Sequence, residues 1–154
     1  MSGFRQYWAP YVASNLVALA LLFITWRWSR VAQWLCALVF LWASITNATT
    51  AINRPHVYQE YAALTPFVLY KNFINGWFDA HAREMVLTIA VGQLAIAVLL
   101  LLPRPWRVLG VLGAIIFLIA IAPLGVGSAF PFSATFIAAI VVMDRRRRDA
   151  RLPA

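Results

Sequence analysis

Four long stretches of this sequence carry no charged side chain, and they constrain the fold more than any other feature. They cover residues 6–26, 31–53, 85–103 and 108–143. A helix needs about 20 mostly apolar residues to cross a hydrocarbon layer about 30 Å thick, so the first three stretches each predict one membrane-spanning helix. Only 12% of the residues are charged, against about 25% in a typical soluble domain. The chain is therefore predicted to be an integral membrane protein.

The fourth stretch is too long to be one straight span. At about 1.5 Å per residue, residues 108–143 would form a helix roughly 54 Å long. Pro123 and Pro131 remove backbone donors, and two glycines between them permit a turn. We therefore predict an all-α polytopic bundle of five transmembrane helices. The spans are placed at about 10–26, 31–50, 84–102, 106–122 and 131–143, and a four-span bundle stays open as the alternative.

Basic residues indicate the orientation of the bundle. With five spans, nine of the 13 basic residues fall on the side of the C-terminus, but four spans give the same count. The short acid-free loops at 26–30 and 103–107 are of the kind that obeys the positive-inside rule, whereas the longer segment 54–84 mixes both signs. We prefer five spans, which put the N-terminus outside and a basic tail, residues 144–154, in the cytoplasm.

The tail is interpreted as an orientation signal, with contact to anionic lipid as the alternative. Nucleic acid is not expected as a partner, because no basic helix face with interleaved aromatic residues is present.

The segment between the second and third spans is the only sizeable part outside the predicted hydrocarbon region. Phe67, Tyr70, Phe73 and Ile74 recur at helical spacing with Lys71 facing away, which predicts an amphipathic helix lying in the membrane interface. The same segment carries the ionisable candidates for a ligand site, which are His56, Glu60, Lys71, Asp79, His81 and Glu84.

Two interpretations of these ionisable residues stay open. If the segment folds over the mouth of the bundle, they would converge on a small anionic or quinone-like ligand, with His56 or His81 carrying protons. The alternative, which we favour, is a solvated loop with nothing bound. His56 and His81 belong to no recognised ligand spacing, so no metal site is predicted.

Two amides lie within the predicted spans, Asn47 in the second and Gln93 in the third. An unpaired polar side chain in hydrocarbon is costly, so both are expected to face the bundle and each other. We favour a contact that packs the helices together over the polar floor of a site for a lipid or quinone. Gly110 and Gly113 predict close helix packing. The absence of charge inside the stretches disfavours active transport.

The run from Gly92 to Leu100, a short arginine-bearing loop, Gly110-Val111-Leu112-Gly113 and a further apolar helix together resemble the DoxX-like family of small bacterial membrane proteins. A segment with a lysine, here Lys71, precedes the run as in that family, and the resemblance covers roughly residues 58–143. It implies a multi-pass helical bundle in the bacterial cytoplasmic (inner) membrane, in some members beside quinone-linked or thiol-redox enzymes. Family members usually have four spans, so this chain would carry an additional N-terminal helix.

Two classes of function follow. No Walker, Gly-x-Ser-x-Gly or His-Glu-x-x-His motif occurs, and the resemblance transfers no catalytic residue, so whether the protein is an enzyme stays open. The preferred function is a non-catalytic membrane subunit that anchors or organises a protein partner or further copies of itself, and by resemblance is redox- or quinone-linked. The alternative is a small pocket protein, an enzyme or a carrier, for a lipid-soluble molecule at the external side.

Overall fold

The structure, a computed structural model, describes the backbone of residues 2–149 and the side chains of residues 8–149. Every regular element in that part of the chain is helical, which confirms the all-α prediction. The α-helices are α1 (Ser2–Arg27), α2 (Ser29–Asn53), α3 (Tyr61–Leu64), α4 (Val68–Phe73), α5 (Asp79–Leu101), α6 (Trp106–Ile121) and α7 (Phe132–Asp149). Connecting them are 3₁₀ turns at Pro55–Glu60 and Ala122–Ser128 and a π-helical turn at Ile74–Phe78.

Four helical stretches of the described chain are long and apolar enough to cross a membrane. They are Trp8–Arg27, Ser29–Asn53, Val68–Leu101 and Trp106–Ser128. α7 is not one of them, and the arginines in its last turn leave an apolar part, residues 132–143, shorter than the about 20 residues of a span. The described residues therefore contain four candidate spans. α7 is a fifth helix of the bundle, with a shorter apolar part and a basic end.

The predicted break in the fourth charge-free stretch is confirmed. α6 ends at Ile121, and the 3₁₀ turn contains Gly125 at φ +62°, where a side chain would be strained. The Phe130 amide donates to the Gly125 carbonyl at 3.0 Å, which closes the turn. The chain then returns as α7, antiparallel to α6.

The five long helices form a closed ring in the order α1, α2, α5, α6 and α7, with α7 packed against α1. Phe40 on α2 lies at the centre, with ring centroids 5.7 Å from Phe136 and 6.0 Å from Phe117. α5 and α6 approach closely at Gly110, where an added Cβ would lie 2.8 Å from the Leu100 backbone nitrogen. The predicted close packing at this glycine is thus confirmed.

Two predicted segments look different in the structure. A separate interfacial helix is not confirmed, because α4 is six residues long and runs through the π turn into α5. Its predicted apolar face is divided, since Ile74 is buried while Phe67 and Phe73 are exposed. The predicted tail is helical as far as Asp149, where it forms the end of α7, and residues 150–154 lie outside the described part of the chain.

Candidate functional site

Polar side chains collect at the two ends of the bundle. One end, called the outer end after the orientation predicted from the sequence, is built by residues 54–81 and 122–131. The other, called the arginine end, is built by residues 26–33, 100–107 and 144–149. The outer end is held together by contacts such as that of Thr65, whose hydroxyl donates to the Pro123 carbonyl at 2.6 Å. The predicted site residues belong to the outer end or to the helix halves below it.

The two amides within the spans bond to each other. Asn47 Nδ2 donates to Gln93 Oε1 at 2.9 Å, which confirms that they face the bundle. The Tyr58 hydroxyl lies 3.1 Å from Asn47 Oδ1, so the 3₁₀ turn above α2 joins the same network. Beside it, Ser44 donates to the Ala90 carbonyl at 2.7 Å. These groups tie α2 to α5 and are used in helix packing.

Two tyrosines of the outer end are held in the neutral form. Burial raises the pKa of Tyr58 to about 12, the neighbouring Tyr61 adds to the increase, and a hydrogen bond with Thr50 opposes it. Burial and the charge of Glu60 also raise the pKa of Tyr61. At physiological pH both phenols therefore keep their protons, and Tyr58 remains a hydrogen-bond donor to the amide network.

Five of the predicted site residues are exposed: His56, Glu60, Asp79, His81 and Glu84. Asp79 accepts a hydrogen bond from the Gln59 amide, and His81 Nδ1 lies 2.9 Å from the Trp77 carbonyl. Lys71 is half-buried on α4. Among the described residues, no group of three or more His, Cys, Asp or Glu side chains is placed to hold a metal ion. The structure thus joins Asn47 to Gln93 and leaves most of the ionisable candidates at the surface.

A small cavity at the outer end is lined by Val57, Glu60, Tyr61 and Leu64. Its volume is about 30 Å³. A water molecule needs roughly 10–15 Å³ measured in this way, whereas small-molecule sites measure about 300–1,000 Å³. The cavity as it stands has room for water and not for a quinone or a lipid.

The arginine end contains a buried network that links four helices. Arg107, in the first turn of α6, is fully buried, and its Nε donates to Asp144 Oδ1 at 2.9 Å. Arg147 donates from Nε to Gln33 Oε1 at 2.8 Å, and Gln33 donates in turn to the Leu100 carbonyl at 2.7 Å. These bonds hold the end of α7 against α2, α5 and α6.

Sequence reasoning missed this network, because it counted Arg107 as a loop charge and the α7 arginines as a tail. Two signals were available. Gln33 is a polar residue inside an apolar stretch, and Asp144 directly precedes the arginine run. Arg107 Nη1 and Nη2 are buried without a hydrogen-bond partner in the described part of the chain. Arg107 lies in the first turn of a helix that is long and apolar enough to span a membrane.

The fold and its polar networks define a class, an α-helical bundle with four helices long and apolar enough to span a membrane. No family model matches the chain, and neither curated proteins nor solved structures show a significant match to it.

Proposed function

We propose that this protein is a non-catalytic subunit of the bacterial cytoplasmic membrane that anchors or organises a protein partner. The contact region, called the aromatic surface, consists of Phe67 just before α4, Val68, Leu69 and Phe73 on α4, and Trp77 in the following π turn. One observation carries the proposal: no residue of α4 is fully buried within the chain. Leu69 is 77% exposed and Val68 68% exposed.

Rings of the aromatic surface contact one another and the neighbouring His81. The Phe73 and Trp77 rings stack with centroids 6.0 Å apart, and His81 stacks on Trp77 at 4.5 Å. Exposed polar residues, among them Asn72 and Asn75, surround it. A large apolar patch with a polar rim marks a contact with a protein or with the membrane. Tryptophan favours the protein, because it is enriched among the residues that dominate the binding energy of protein interfaces.

The amide network supports a subunit over a pocket protein. Asn47 and Gln93 were the candidate floor of a ligand pocket, and they bond to each other at 2.9 Å. The resemblance to the DoxX-like family adds a quinone-linked or thiol-redox enzyme as the first partner to test. The redox chemistry would then belong to that partner, and this chain would position it at the membrane.

The proposal includes five spans, with the N-terminus outside and the C-terminus in the cytoplasm. Support comes from the arginine end, where the loops 26–30 and 103–107 and the end of α7 meet on one side of the bundle. An excess of arginine in short loops is typical of the cytoplasmic side. α7, although short, would cross most of the membrane because it packs against α1 along the bundle.

Cysteine labelling in intact cells tests this topology. In a Cys36→Ala background, Ser2→Cys and Ser128→Cys should react with an impermeant maleimide, and Arg148→Cys should react only after the membrane is opened. Cys36 is the one cysteine of the sequence and is buried. Replacing it leaves the introduced cysteine as the only thiol that can react. Labelling of Ser2→Cys only in opened cells would contradict the five-span arrangement.

Site-directed photo-crosslinking tests the aromatic surface. A photoreactive residue at Leu69 is expected to give a discrete adduct with one protein in native membranes, and that protein should co-purify with the wild-type chain. Trp77→Ala should weaken the co-purification. The matched control is Ile116 on α6, which is 68% exposed on a lipid-facing helix and should give lipid adducts only. Lipid adducts alone at both positions would show that the aromatic surface contacts the bilayer and would overturn the proposal.

A further inference from the structure

A shallow apolar groove, closer to a flat surface than to an enclosed cavity, runs along the outward face of α1. It is lined by Leu19, Leu22, Phe23 and Trp26. The positions 19, 22, 23 and 26 share one face of a helix and extend over about 10 Å. Phe23 is 72% exposed and Leu19 56% exposed. Because α1 is a candidate span, this face meets the hydrocarbon chains of the bilayer.

The groove ends at the arginine end of the bundle. Trp26 is the next-to-last residue of α1, and the Arg146 guanidinium carbon of α7 lies 4.9 Å from its ring centroid. Arg27 follows directly and lies 5.7 Å from the Trp28 ring. Tryptophan at a span end is typical of the headgroup level. Cationic side chains therefore stand where the groove leaves the hydrocarbon region.

The charge at this end is one-sided. Arg27, Arg30, Arg104, Arg107 and Arg145 to Arg148 lie there with only Asp144 and Asp149 among the described residues, and Asp144 is already paired with Arg107. The arginines at this end thus outnumber the carboxylates. An anion from the membrane would complement this excess of positive charge. A zwitterionic headgroup would not supply this net charge.

We propose that this groove is a binding site for an anionic phospholipid, with one acyl chain lying against Leu19, Leu22 and Phe23 and the phosphate held by Arg146 beside Trp26. The guanidinium presents several N–H donors, which suit phosphate oxygens. Its contact with the Trp26 ring keeps it at the mouth of the groove. The inference concerns a lipid and not the protein partner proposed above, so either one stands if the other fails.

Native mass spectrometry of the purified, delipidated protein tests the site. The protein is mixed with equal amounts of palmitoyl-oleoyl phosphatidylglycerol and phosphatidylcholine in detergent, and phosphatidylglycerol is expected to be retained preferentially. Arg146→Gln should lower its apparent affinity about fivefold, the change that corresponds to about 1 kcal/mol for one arginine near an anionic surface. Arg148→Gln removes the same charge from a position about 200° further around α7 and should lower the affinity less than about twofold.

A second pair of variants tests the groove without changing the charge. Leu19→Trp fills the groove and should reduce phosphatidylglycerol retention, whereas Ile116→Trp, at an equally apolar exposed position on α6, should not. Circular dichroism and thermal unfolding establish that each variant is folded, and the two pairs are independent should one variant fail to fold. Added inorganic phosphate should not displace the lipid.

Four results would overturn the proposal. Equal losses for Arg146→Gln and Arg148→Gln would show diffuse attraction, and equal retention of the two lipids would show no preference for the anionic headgroup. An unchanged retention in Leu19→Trp would remove the groove from the site. Displacement of the lipid by inorganic phosphate would show that the arginines bind free phosphate rather than a membrane lipid.

Discussion

The Nε of Arg107 donates a hydrogen bond to the carboxylate of Asp144 at 2.9 Å, and this ion pair joins the first turn of α6 to the end of α7. Arg107 is fully buried, and Asp144 is 20% exposed. A buried guanidinium is tolerated near hydrocarbon only with a counter-charge. The pair therefore fixes the C-terminal end of α7 against α6, while the apolar part of α7 packs in the core.

Asp144→Asn should destabilise the protein strongly. Breaking a buried pair leaves the guanidinium uncompensated and costs about 3–5 kcal/mol, and the partial exposure of Asp144 points to the lower part of that range. The free energy of unfolding in detergent measures the loss. Asp149→Asn, at an exposed position five residues later on the same helix, is the control and should change it little. A loss of similar size in both variants would show that total charge, not the ion pair, matters.

Gly110→Ala should separate α5 from α6. The added Cβ would lie 2.8 Å from the Leu100 backbone nitrogen and 2.9 Å from Leu99 Cβ, so a helix must shift. Forced packing of this kind costs typically about 1–3 kcal/mol. At Gly92 a Cβ meets nothing within 4 Å, and Gly92→Ala should raise helix stability by up to about 1 kcal/mol. The thermal unfolding temperature should therefore fall in Gly110→Ala and rise in Gly92→Ala. A change in the same direction in both variants would contradict the close approach of α5 and α6 at Gly110.

The contrast between these two glycines shows what the sequence could and could not predict. Gly110 belongs to a Gly-x-x-Gly pattern within α6, and its role in close packing followed from that pattern. The break between α6 and α7 followed from Pro123 and Pro131 and from the length of the stretch. In each case the signal is local, because a proline or a glycine acts on its own turn of helix.

Contacts between distant residues were harder to predict. The bond between Arg107 and Asp144 requires α7 to run antiparallel to α6. No local sequence pattern predicts which residues of the two helices then lie side by side. The apolar face predicted for residues 67–74 is divided for a local reason. Phe67 is extended, with φ −93° and ψ 121°, and α4 begins only at Val68, so a regular helical face counted from Phe67 does not form. The backbone leaves the helical region again at Gly76, with φ −109° and ψ −108°.

The Asn47 and Gln93 side chains should be coupled in a double-mutant cycle. Their hydrogen bond of 2.9 Å crosses from α2 to α5, and such bonds in membrane proteins contribute on average about 0.6 kcal/mol, with about 1.7 kcal/mol as the largest value. Asn47→Ala, Gln93→Ala and the double variant are compared by the free energy of unfolding in detergent. Losses that simply add would mean that the two amides do not interact in the folded protein.

Removing Tyr58 should change how the stability of the protein depends on alkaline pH. A phenol in an unfolded chain has a pKa near 10, and burial raises the pKa of Tyr58 in the folded protein to about 12. Between these values the unfolded chain releases the proton while the folded protein keeps it. The stabilisation from the neutral phenol is therefore complete below pH 10 and is lost as the pH rises toward 12, by at most about 1.4 kcal/mol per pH unit.

Tyr58→Phe should consequently show a shallower fall in the free energy of unfolding between pH 10 and pH 12 than the wild type. Its tyrosinate absorbance titration should lack one group that ionises near pH 12. Thr50→Val offers a second check with the opposite sign, because the hydrogen bond with Thr50 lowers the pKa of Tyr58, and its removal should move that titration to higher pH. If the wild type and Tyr58→Phe titrate identically above pH 11, the Tyr58 phenol is open to water. The hydrogen bond from Tyr58 to Asn47, which closes the amide network at the outer end, would then be wrong.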